Sequence, residues 1–182
     1  LAYALRIIGL PQPLEIERKF RIVKPVPFAK IVTAAGWVNS VDITQMYVET
    51  PARGRFRIRR VEQQGDSAYY ATWKTEIAPG VKTEVEERMT WAEYDVFQLK
   101  IVPGTQIITK SRRSFYLDGH YFELDDFKHP AKGLQVVEAE LLTIDEPLTI
   151  PAFLGPVEEV THDKRYANPS IAKGSLGKVF SQ

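Results

Sequence analysis

Glu15 and Glu17 stand two residues apart, with Lys19 following, in the run LEIERKF at 14–20. Acidic pairs of the same spacing recur at Glu84/Glu86, Glu123/Asp125 and Glu138/Glu140. Basic residues keep that spacing at Arg57/Arg59 and Lys110/Arg112, and Lys74 joins them in ATWKTE. Alternate side chains of a strand share a face, so each pair would present its charges together. Carboxylates are ligands for hard divalent cations. Arg and Lys are partners for phosphate, Arg through a two-pronged fork. A surface carrying both sets can hold a polyanion and divalent cations at once. No Ser/His/Asp set and no Gly-rich phosphate loop offers a competing chemistry.

The elements that must carry these residues are mostly strands. Period-two alternation marks strands at 14–22, 44–50, 55–61, 69–76, 82–89, 107–116, 120–127 and 135–143. Gly65-Asp66 and Asp118-Gly119 read as hairpin turns, and Pro79-Gly80 as a turn before the fifth run. Helices are predicted at 28–36, with an apolar stripe of Phe28, Ile31, Val32 and Ala35, and at 91–101. The second opens on a capping box, Thr90 with Glu93, and turns Trp91, Tyr94, Phe97 and Ile101 to one side. A short last helix starts at Asn168-Pro169.

Two folds satisfy this alternation. One is an antiparallel sheet with a wet face. The other is a closed barrel of about eight strands whose lumen is polar and holds one small ligand. The second accounts for the ordered acidic and basic pairs, because burying so many charges is costly unless each is paired or meets a ligand. The expected class is α+β, mainly β: a closed antiparallel eight-stranded barrel, with helices packed outside.

Composition bounds the rest. The chain has 182 residues, 24 Lys and Arg against 23 Asp and Glu, and no cysteine. The near-neutral balance argues against a nucleic-acid partner or a polybasic membrane anchor. Without cysteine, and with His120, His129 and His162 sharing no ligand spacing, a metal must be held by oxygen, which suits Mg²⁺ or Mn²⁺. Residues 1–13 read as a lead-in segment ending in Pro11-Gln12-Pro13, and 14–182 as a single domain. The apolar stretch LAYALRIIGL is too short to span a membrane and lacks a cleavage pattern, so a cytoplasmic protein is expected.

The motifs together resemble one family. Glu15-Ile16-Glu17-Arg18-Lys19 is similar to the ExExK signature of the CYTH superfamily, the triphosphate tunnel metalloenzymes. RFRIRR, ATWKTE, EVEER, ITKSRR, FELDDF, VVEAEL and THDKRYAN follow in that family's order between residues 55 and 168. The resemblance implies a tunnel barrel and metal-dependent hydrolysis of inorganic triphosphate to pyrophosphate and phosphate. It leaves open a class IV-type adenylyl cyclase, a thiamine or nucleoside triphosphatase, and a non-catalytic binder of polyphosphate or nucleotide. It implies that Glu15, Glu17 and Lys19 carry the chemistry, and that Glu15, Glu17, Glu138 and Glu140 bind metal. Lys19, Arg57, Arg59, Lys74, Lys110 and Arg112 would clamp phosphates, with Lys164 and Arg165 at one tunnel mouth. Glu84, Glu86, Glu123 and Asp125 are expected to fix the rotamers of those bases. Arg18 and Arg113 have the opposite parity and read as exterior, and Arg55 has no assigned role. The implied partner is a triphosphate or another small molecule bearing polyphosphate, and the assembly allows a homodimer.

Overall fold

Alternation in the sequence becomes a single antiparallel sheet that closes on itself. The computed structural model describes residues 14–78 and 81–176. The strands are β1 (Leu14–Ile22), β2 (Asn39–Thr50), β3 (Gly54–Gln63), β4 (Asp66–Ala78), β5 (Val81–Met89), β6 (Ile108–Leu117), β7 (His120–His129), β8 (Gln135–Glu140) and β9 (Val157–Glu159). Eight of them run β5-β4-β3-β2-β6-β7-β8-β1, and β1 returns to β5 at Leu14–Ile16 to close the barrel. The ninth, β9, lies outside that ring and pairs with the far end of β1 at Phe20–Ile22. Three residues are too few for a period-two signal, and β9 was not foreseen.

Local chemistry sets the turns. Gln64 and Gly65 (φ 52° and 94°) form the β3–β4 turn, and Asp118 and Gly119 (φ 49° and 86°) the β6–β7 turn. Two successive positive φ angles suit a tight hairpin. The first turn therefore sits one residue earlier than expected, and Asp66 begins β4. The expected Pro79-Gly80 turn and the 1–13 lead-in lie outside the described residues.

The apolar rows of the strands face outward and are covered. Phe20, Ile22, Phe115, Phe122, Leu124, Val137 and Ala139 form one cluster with Ile31 of α1 (Phe28–Ala35). Only Ile31 and Ala35 of the expected stripe pack there; Phe28 and Val32 stay partly exposed, and the Arg113 guanidinium lies 4.8 Å from the Phe28 ring. Met46, Val48, Phe56, Ile58, Ala71 and Met89 form a second cluster under α2 (Trp91–Gln98). The capping box at Thr90 and Glu93 is formed as read. Tyr94, Phe97 and Ile101 pack inward, but Trp91, one turn earlier, is 63% exposed and only rims a shallow groove beside Tyr69. Fully burying an apolar side chain of this size is worth roughly 1.5–3 kcal/mol, so the two outer clusters hold the barrel from outside.

A third cluster has no counterpart in the expectation of a wholly polar lumen. Ile108, Phe127 and Val136 lie on the inward rows of β6, β7 and β8, in register with Gln45, Lys110 and Arg21. They pack against Leu134, Leu176 and the short helix α3 (Asn168–Ala172) through Ile171 and Ala172. The lumen is thus charged over one part of its length and apolar over the rest. Among the described residues, no helix is long and apolar enough to cross a membrane.

Candidate active site

The inward rows are those that carry the charged pairs, and the register shows how they meet. On β1, Glu15 lies across from Lys82 of β5, while Glu17 and Lys19 lie across from Glu140 and Glu138 of β8. On β4, Lys74 and Glu76 face Glu84 and Lys82. On β3, Arg57 faces Tyr47 on one side and Thr72 on the other. On β6, Arg112 faces Asp125. All of these but Asp125 line a cavity of about 520 Å³ in the barrel lumen.

Each lysine of the cavity is spent on a carboxylate. Lys74 Nζ donates to both oxygens of Glu15 at 2.6 and 2.7 Å and lies 2.6 Å from Glu84. Lys82 Nζ donates to Glu17 at 2.6 Å, and Lys19 Nζ lies 2.6 Å from Glu138 and 3.9 Å from Glu17. Burial opposes the Lys19 charge, but Glu138 and Glu17 outweigh it and raise its pKa. Burial likewise opposes the Glu138 charge, and Lys19, Arg112 and Lys110 reverse that and hold its pKa well below the usual range.

Two cavity carboxylates lack such a partner: Glu76, which is exposed, and Glu140 make no ion pair with any described residue. Burial and the neighbouring charges of Glu15 and Glu17 push the Glu140 pKa up. Among the described residues no three carboxylate or imidazole groups converge as a ready-made metal site. The donors nevertheless fit a hard cation. They are all oxygen, they crowd one another, and ammonium groups already stand against Glu15 and Glu17 as cationic partners.

Three strands away in the closed order, the wall is cationic. Arg57 and Arg59 on β3 and Arg112 on β6 all line the cavity. Arg112 is gripped from below, with Nε and Nη2 donating to Asp125 at 2.7 and 2.8 Å and Nη1 to Glu123. Arg59 donates to Glu86, which also accepts from Thr72 at 3.1 Å. Among the described residues Arg57 has only Glu84 as an acidic partner, at 3.7 Å. Burial, with Arg59 and Arg112 adding repulsion, lowers its pKa. It is the least neutralised of the three, and an anion would relieve it.

The four acids expected to orient bases are all found against them: Glu84 by Lys74, Glu86 by Arg59, Glu123 and Asp125 by Arg112. Lys110 is placed otherwise than expected. It is 2% exposed, does not line the cavity, donates to Asp125 and sits 5.3 Å from the Phe127 ring. Burial lowers its pKa to about 8. Lys164 and Arg165 do not line the cavity either; Arg165 is turned onto Asp163 at 2.6 Å, and Ala167, Asn168 and Pro169 border the cavity there. Arg18 is outside as read, its charge answered by Glu159 of β9 at 2.7 Å. Arg55 is at the cavity rim and pairs with Glu49 at 3.2 Å.

Among the ionisable residues of the cavity, Lys82, Tyr47 and Glu76 are not among the expected site residues. Lys82 shares a face with Glu84 and Glu86 in the sequence but was given no role. Tyr47 sits on the inward row of β2, and burial raises its hydroxyl pKa to about 12 despite Arg57 and Lys19 nearby. The parity of Gln45, Tyr47 and Glu49 was the available signal.

The model of the CYTH domain matches residues 13–150, well over half of the chain. This chain belongs to the CYTH family. The inorganic triphosphatase of Nitrosomonas europaea is 36% identical over 166 residues, which span 87% of this chain and 96% of that protein. The crystal structure of the inorganic triphosphatase NE1496 superimposes with a TM-score of 0.57 at 32% identity, covering 87% of this chain and 94% of that one. The PH1012 protein of Pyrococcus horikoshii OT3 shares the fold at 20% identity, with a TM-score of 0.51 over 91% of this chain and 87% of that one. As a CYTH member, the chain carries its ExExK residues Glu15, Glu17 and Lys19 on the first barrel strand, all three lining the cavity.

Proposed function

We propose that this protein hydrolyses inorganic triphosphate to pyrophosphate and phosphate in the barrel cavity, with Mg²⁺ or Mn²⁺ as cofactor. The observation that carries the reading is the polarity of that cavity. Crowded carboxylates at Glu15, Glu17 and Glu140 share it with an arginine cluster at Arg57, Arg59 and Arg112, of which Arg57 is the least neutralised. The named activity of the relative from Nitrosomonas europaea points the same way.

Arg57, Arg59 and Arg112 bind the phosphate oxygens and screen their charge, which is most of what phosphoryl transfer asks of a protein. Glu123 and Asp125 hold the Arg112 guanidinium plane in place beforehand, and Glu86 holds the Arg59 fork until a phosphate competes for it. Glu15, Glu17, Glu138 and Glu140 would hold the divalent cation. When bound, the cation supplies charge neutralisation at the phosphates and a water of lowered pKa. With Glu15 and Glu17 engaged by a cation, Lys74 and Lys82 would be free to turn to the substrate. Lys19, held between Glu138 and Glu17, stays at the junction of the acidic and basic walls.

A product-resolved activity screen tests this. Triphosphate, pyrophosphate, ATP, thiamine triphosphate and long polyphosphate are compared with Mg²⁺ or Mn²⁺. Preferred turnover of triphosphate is expected; cyclic AMP from ATP as the main product would replace the hydrolase reading by a cyclase.

A further inference from the structure

Gln45 is wholly buried, yet neither atom of its side-chain amide makes a hydrogen bond to any described residue. Such groups are normally satisfied inside proteins. It stands on the inward row of β2, two residues before Tyr47. Across one ladder it faces Ile108 of the apolar cluster, and across the other Arg59 of the cavity wall. Gln45 therefore marks the level at which the charged lumen meets the apolar one. Arg59 Nε is also buried and without a partner among the described residues, while the other end of the guanidinium clasps Glu86. A carbonyl acceptor and an N–H donor thus sit on directly opposed residues of one face, where side chains come within reach, with no bond between them.

We propose that Gln45 is a positioning residue for the anion site, whose amide oxygen accepts from Arg59 Nε when that guanidinium turns from Glu86 to a phosphate oxygen. The proposal rests on the triphosphate reading of the cavity. Glu86 accepts from the Nη2 of the Arg59 fork, and Nε has no partner among the described residues. A phosphate competing with Glu86 frees the fork to rotate. Gln45 then fixes its plane from behind, and Gln45 Oε1 and Arg59 Nε become satisfied together. A fork held at its Nε presents its two outer nitrogens to one oxyanion, which is the geometry that discriminates phosphate from a point charge. Gln45 does not line the cavity and acts only through Arg59.

The test is a double-mutant cycle on wild type, Gln45→Met, Arg59→Lys and the pair, reading KM and kcat for triphosphate with Mg²⁺, and Tm with and without triphosphate. Met keeps the volume and drops the amide. Gln45→Met should raise KM about tenfold, the loss of one charge-assisted contact, with kcat changed less. Its Tm without triphosphate should equal or exceed that of wild type, because an unsatisfied amide has been removed. In the Arg59→Lys background the same change should do almost nothing, since lysine has no Nε–H to position. An unchanged KM, or an effect that adds fully to Arg59→Lys, overturns the proposal. Failure of both Gln45→Met and Gln45→Leu to fold also overturns it, by showing that the amide serves the fold. A wild-type protein that is neither stabilised by triphosphate nor turns it over overturns the triphosphate reading first, and that outcome is visible in the wild-type arm alone.

Discussion

Glu17 and Glu140 face each other directly across the β1–β8 ladder, two carboxylates in register on the lumenal side. Like charges in that relation destabilise a sheet. Glu17 is paired with Lys82, whereas Glu140 has no ion-pair partner among the described residues and is eased only in part by the charge of Arg112. The barrel therefore carries a local strain that a cation removes.

Glu140→Gln should accordingly raise Tm in the absence of metal at neutral pH. The sign follows from linkage: a carboxyl whose folded pKa lies above its ordinary 4.5 is penalised only when ionised. The penalty is complete above the raised folded value, fades as pH falls through it, and is gone below 4.5. The advantage of Glu140→Gln should fade over that same window, and the rise in Tm on adding Mg²⁺ should be smaller in the variant than in wild type. Melts at a series of pH values, with and without metal, check both. A variant less stable than wild type at neutral pH would place an unseen partner on Glu140.

Arg57→Met should separate binding from folding. Its one acidic neighbour, Glu84, keeps Lys74 at 2.6 Å, so removing the guanidinium strands no carboxylate. Activity on triphosphate should fall by roughly 10²–10³-fold, the scale of losing one preorganised charge partner. Tm without ligand should hold or rise, because the arginine is repelled by Arg59 and Arg112. A collapse of stability with activity would make Arg57 structural.

Asp125 and Lys110 form the opposite case. Asp125→Ala unpairs buried Lys110 and strips Arg112 of two contacts, leaving it Glu123 and Glu138, and should cost about 3–5 kcal/mol by denaturant melts. Lys110→Met should cost much less, since Asp125 keeps both contacts to Arg112. It should also leave KM for triphosphate near the wild-type value, because Lys110 lies behind the cavity wall. A large rise in KM would return Lys110 to the phosphate clamp.

Strand parity made most of this arrangement legible in advance. The rows of Glu15/Glu17/Lys19, Arg57/Arg59, Glu84/Glu86 and Glu138/Glu140 do share one face, and their apolar neighbours do pack outside. Parity gives a side, however, and not a depth. Lys110 and Arg112 have the same parity, but Lys110 lies at the level of Phe127, beside the apolar cluster, and is buried there. The apolar end of the lumen was hidden for the same reason: Ile108, Phe127 and Val136 lie on inward rows whose charged members dominated the pattern. Lys164 and Arg165 were read from motif position alone, and neither faces the cavity. Gln45 shares the parity of Tyr47, but nothing in the sequence marks it out further, because an amide in a strand becomes unusual only when its partners can be counted.

The central claim is most directly tested by a ³¹P NMR time course of triphosphate with wild type and Glu17→Gln, each with Mg²⁺ and with chelator. Wild type with Mg²⁺ should convert triphosphate to pyrophosphate and phosphate in equal amounts, and chelator should stop it. Glu17→Gln should fold and be slower by roughly 10²–10³-fold. Unchanged triphosphate resonances with folded wild type and Mg²⁺, or equal rates for the two proteins, would contradict the account.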